Sequence, residues 1–86
     1  MARGFTRSDA DKQCEIFGTR FRGMIAGKEA AKSLPRMSTI KAAGISQAKF
    51  YDNLKHGGKW RIEEVVAICS YLGIDAAQLF AEGWHL

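Results

Sequence analysis

Five side chains able to contact nucleic-acid bases crowd into the stretch Gln47-Ala48-Lys49-Phe50-Tyr51-Asp52-Asn53-Leu54-Lys55. The Gln47 amide matches adenine, and Lys49 reaches guanine or a phosphate. Asp52 accepts from the cytosine amine, Asn53 reaches a base or a phosphate, and the small Ala48 fits against a thymine methyl. Around them Arg36, Lys41, Ser46, Tyr51, Lys55 and Lys59 carry cations and hydroxyls suited to phosphate oxygens, contacts that position a protein without reading sequence. For Tyr51, partial core packing is an equal alternative. Arg3 and Arg7 could enter a minor groove as a basic arm, or simply be disordered.

Other chemistries have less to stand on. Cys14 and Cys69 are far apart and form no Cys-x-x-Cys pair. With His56 and His85 they give no zinc-site spacing, so neither metal nor cofactor is expected. Both cysteines read as buried, reduced thiols on apolar helix faces. The chain shows no Ser/His/Asp or Cys/His set, no paired carboxylates in its basic region and no glycine-rich phosphate loop. It therefore reads as a binder rather than an enzyme, with no small-molecule ligand expected. His56, just before Gly57, suits a helix end, where a cation meets free carbonyls.

Charge is unevenly distributed. Residues 1–19 are neutral, residues 20–61 hold ten bases against Glu29 and Asp52, and residues 62–86 hold no Lys or Arg and four acids. A basic block facing phosphates gains affinity by releasing counterions. No apolar run is long enough to span a membrane, and the first residues lack the apolar core of a signal peptide. A cytoplasmic protein with no membrane partner is expected.

These residues need helices to hold them. The 86-residue chain has one proline and an apolar share of 47%, which suits one small all-α domain over 8–86 behind a flexible basic arm over 1–7. Ser8 reads as the cap of a first helix whose stripe is Ala10, Cys14, Phe17, Phe21, Met24 and Ile25. Gly18, Gly23 and Gly27 would bend or break that helix, and its end falls between Ala26 and Lys32. Pro35 opens a short helix, Arg36 to Ala43. Ser46 caps the next, Gln47 to His56, closed by Gly57-Gly58. A fourth runs from Arg61 to Tyr71 or Leu72, with Ile62, Val65, Val66, Cys69 and Leu72 inward and Ile68 at the edge. Asp75 caps a fifth, Ala76 to Ala81, that turns Leu79 and Phe80 inward. Trp60 reads as core, and Trp84 and Leu86 as core or as contacts to a partner copy.

The segment Ala42-Ala43-Gly44-Ile45-Ser46 is built for a tight corner. Two alanines let helices approach, Gly44 accepts positive φ, Ile45 plugs the gap and Ser46 starts the next helix. Gly44-Ile45-Ser46-Gln47-Ala48-Lys49-Phe50, then Leu54, Gly57 and Val65 through Phe80, resemble the phage Cro and C1-repressor-like helix-turn-helix family. The resemblance covers about residues 21–80, and a weaker echo of tetracycline-repressor-like domains runs over residues 42–51. Ile40 stands where the family usually has a small Ala, and Thr39 stands at the preceding apolar site.

The resemblance implies a five-helix, lambda-repressor-like bundle containing a helix-turn-helix. It further implies a sequence-specific regulator of transcription that binds double-stranded DNA, lays the helix from about residue 47 to 56 in the major groove, and reads two half-sites as a homodimer. Two other readings stand beside it. One is a small helical module that binds a protein through its basic face; the other is an excisionase-like or architectural DNA binder.

Overall fold

A computed structural model describes residues 7–82 of the chain. Within them lie five α-helices and a 3-10 turn, with no strand. The helices are α1 (Arg7–Lys32), α2 (Arg36–Ala43), α3 (Gln47–Lys55), α4 (Ile62–Leu72) and α5 (Ala76–Glu82). The turn, Gly57–Lys59, links α3 to α4. Arg3 lies outside the described residues, as do Trp84 and Leu86. Among the described residues no helix is long and apolar enough to cross a membrane.

α1 is a single helix of 26 residues, roughly 39 Å long. Its glycines do not interrupt it, because burial of Phe17, Phe21 and Ile25 outweighs their weak helix preference. It also starts earlier than expected. Arg7 is its first residue, so Arg7 belongs to a helix rather than to an arm, and Ser8 is not its cap.

Gly18 has a packing role. A Cβ built there would lie 2.5 Å from the Gly57 Cα, and one on Gly57 would lie 2.7 Å from the Cys14 carbonyl oxygen. Backbone meets backbone at this crossing, so Gly57 does more than stop α3. Cys14, expected to be buried, is exposed beside Gly58, whereas Cys69 is buried in the core, where loss of water raises its thiol pKa.

The aromatic centre ties α1 to α3. The Trp60 ring meets Phe21 and Phe50 edge-on, with centroids 5.2 and 5.4 Å apart. Ile25, Ile40, Val65, Ile68, Leu72 and Leu79 complete the core. The inward face of α4 is rotated from its expected position. Ile68 is fully buried, while Ile62 and Val66 are exposed. The anchors are Val65, Ile68, Cys69 and Leu72, which share one face of the helix. On α5, Leu79 is buried, but Phe80 sits at the surface, stacked on Phe17 with centroids 5.1 Å apart.

Local signals set the helix ends. Gly44 and Gly73 both take the left-handed conformation, φ 72° and 73°, at the ends of α2 and α4. The Asp75 carboxylate accepts from the Ala77 and Gln78 amides at the start of α5. Lys32, at the end of α1, donates to the Leu72 carbonyl at 2.7 Å, so one member of the basic block caps α4.

Candidate nucleic-acid interface

α2 and α3 meet at Gly44-Ile45-Ser46. The Gly44 amide donates back to the Ile40 and Lys41 carbonyls, closing α2. The Ser46 side-chain oxygen accepts from the Lys49 amide at 3.1 Å and starts α3. Ile45 packs against the core between them.

Three neighbours fix α3 from behind. Phe50, fully buried, meets the Trp60 edge and lies beneath the Arg36 guanidinium, whose central carbon is 5.5 Å from the ring centroid. Leu54 is half-buried against the core. Asn53 is fully buried, and its amide nitrogen donates to the Glu64 carboxylate at 3.2 Å. Glu64 also accepts from the Arg61 backbone amide at 2.9 Å, so one carboxylate joins α3 to the start of α4.

Asn53 therefore corrects the sequence reading: it sits in the interior and does not share the outward face. Its neighbour in register, Phe50, points the same way, and together with Leu54 they make the buried stripe wider than expected.

The remaining face of α3 is open. Gln47, Ala48, Lys49, Tyr51 and Lys55 are exposed, and Asp52 is partly so. Tyr51 is 43% exposed and its ring meets Phe50 edge-on at 6.0 Å, so it packs in part while staying open to solvent. Ser46 and Lys41 are exposed beside this face. Asp52 pairs with Lys59 at 2.8 Å. That hydrogen bond holds the Asp52 carboxyl below its ordinary pKa, with smaller help from the positive fields of Lys59, His56 and Lys49. The pair neutralises two residues that sequence placed in different roles.

Arg36 is held in place by Glu29. Its Nε donates to both carboxylate oxygens at 2.9 Å, and a terminal nitrogen lies 2.8 Å from one of them. Thr39 Oγ1, fully buried, donates to the same carboxylate at 2.7 Å. The hydrogen bonds to Glu29 raise the guanidinium pKa, against partial burial, and Tyr51 adds a smaller push. Thr39 thus has a polar use: it binds α2 to α1.

Sequence reasoning missed Glu29 and Arg22. Glu29 had one signal, being one of two acids in the basic block. Arg22 had none beyond membership of that block. It lies with Ala26 of α1 across a groove of about 610 Å³ from Arg36, Tyr51, Asp52, Leu54 and Lys55. Among the described residues no cluster of three His, Cys, Asp or Glu is placed to hold a metal ion. No family model, curated protein or solved structure matches this chain.

Proposed function

We propose that the protein is a sequence-specific double-stranded DNA-binding regulator that uses α2 and α3 as a helix-turn-helix and is not a catalyst. The observation that carries this reading is the open face of α3. A helix anchored from behind by Phe50, Asn53 and Leu54 turns Gln47, Ala48, Lys49, Tyr51, Asp52 and Lys55 to one side. With its side chains a helix is about 10–12 Å across, a match for a major groove of about 12 Å.

The neighbouring charges favour the same surface. Lys41, Lys49 and Lys55 are exposed, and Arg36 is preorganised by Glu29. Gln47, Ala48 and Lys49 occupy the first turn of α3, the part of a recognition helix that meets base edges. Ser46, Lys41, Tyr51, Lys55 and Arg36 flank it for phosphates. Lys59 serves phosphates only after exchanging Asp52 for one, and Asp52 reads a base only when Lys59 lets go.

The test is selection of bound sites from a pool of random duplexes, followed by affinity measurements across salt concentrations. A recovered motif and a steep fall of affinity with salt are expected. Enrichment of no motif, with an affinity indifferent to salt, overturns the reading.

A second reading, a protein-interaction module, draws on a different surface. Ile62 and Val66 are 62% and 52% exposed on α4, in the acidic part of the chain. Ile62 borders a small apolar groove of about 200 Å³ shared with Phe17, Trp60 and Phe80.

A further inference from the structure

We infer that the groove between α1 and α3 is a binding site for a phosphodiester of the DNA backbone, with Arg22 and Lys55 as its two uncompensated cations. The inference rests on the duplex-binding reading above and extends the interface to α1, which sequence left out of it.

The groove is lined by Arg22, Arg36, Lys55 and Asp52 as its charged members. Glu29 neutralises Arg36 and Lys59 neutralises Asp52, each at 2.8 Å. Arg22 and Lys55 are exposed and remain to attract an anion. The Asp52 carboxylate, although it borders the groove, is turned to account by Lys59 and does not repel an incoming phosphate with a full charge.

Shape and chemistry point the same way. Ala26 and Leu54 supply the apolar part of the groove's lining, between the cations of α1 and α3. Arg36 directs its Nε and one terminal nitrogen to Glu29 and also interacts with the Tyr51 side chain, so its guanidinium is fixed at the edge of the groove. The Tyr51 hydroxyl supplies a neutral donor. Two exposed cations, a guanidinium held by Glu29 and a phenol hydroxyl suit a phosphodiester, which carries one charge and two free oxygens.

Position completes the case. Tyr51, Asp52 and Lys55 belong both to the groove and to the open face of α3. A duplex seated with α3 in its major groove carries one phosphate strand along each flank of that helix. The groove occupies one of those flanks.

The test compares the intact protein with single variants on one duplex, reading the slope of log affinity against log salt. Arg22→Gln lowers the slope by about one and weakens binding on the order of fivefold at physiological salt. Lys55→Gln does the same, and Arg22→Lys, which keeps the charge, restores most of the slope. Lys28→Gln is the control, since Lys28 is exposed on the same helix but lines a different groove, beside Gly73 and Asp75. An unchanged slope in Arg22→Gln, or an equal loss in Lys28→Gln, overturns the assignment while wild-type binding leaves the duplex reading standing. Wild-type protein that shows no salt-dependent duplex binding instead overturns both. Inorganic phosphate alone distinguishes the source of the anion: if it shifts the Arg22 Nε resonance at millimolar concentration as fully as duplex does, the groove serves a free phosphate and the assignment to DNA fails.

Discussion

Glu29 and Asp52 are the two acids of a basic segment, and each is matched to a particular cation. Their settings differ. Glu29 is buried and accepts from Arg36 and Thr39, whereas Asp52 faces water beside Lys59. Thr39→Val keeps the shape of the buried site and removes a donor to a carboxylate. Its expected cost is about 2 kcal/mol, measured by urea unfolding, with no change in helix content. Asp52 makes a prediction about titration. Its folded pKa is depressed, so the Lys59 pair contributes stability above the ordinary carboxylate range and loses it as pH falls through the lowered value. NMR titration of the carboxyl resonances is expected to place the Asp52 midpoint below that of an unpaired aspartate, and Lys59→Gln is expected to move it back up. Residue types alone could not separate these cases. Asn53, grouped with Asp52 by sequence, is interior because Glu64 from the following helix takes its amide, and nothing within α3 announces that partner.

Helices and their ends were largely legible because their causes are local. Gly44, Ser46, Gly73 and Asp75 act within one turn of their own positions, and all four stand where their chemistry places them. What was not legible depends on contacts across the fold. Gly18 and Gly23 look alike in the sequence of α1, yet Gly18 faces Gly57 and Gly23 faces open space. Gly18→Ala forces a methyl against backbone and is expected to cost about 3 kcal/mol. Gly23→Ala meets no atom within 4 Å and is expected to stabilise by about 0.5–1 kcal/mol. Thermal unfolding of the two variants side by side decides between a packing role and a mere helix weakness. The same long-range dependence explains α4. Ile62 and Val66 fit an apolar stripe on paper, but contacts with α2 and α1 select Val65, Ile68, Cys69 and Leu72 instead.

Across the whole molecule, the basic block is divided by the fold into structural and free charges. Lys32 caps α4, Arg36 is tied to Glu29 and Lys59 to Asp52. Lys41, Lys49, Lys55 and Arg22 are exposed around α3 and the groove beside it. Net charge thus overstates the cations available for phosphates, and a salt slope smaller than the ten bases of residues 20–61 would suggest is expected. The proposal that α3 reads bases is tested most directly by site selection with the Gln47→Ala/Lys49→Ala double variant beside the wild type. Both side chains are exposed, so unfolding curves should coincide. The account predicts that wild type enriches one motif and that the double variant loses preference at some of its positions while still binding duplex DNA. An unchanged motif with only weaker overall affinity would contradict it.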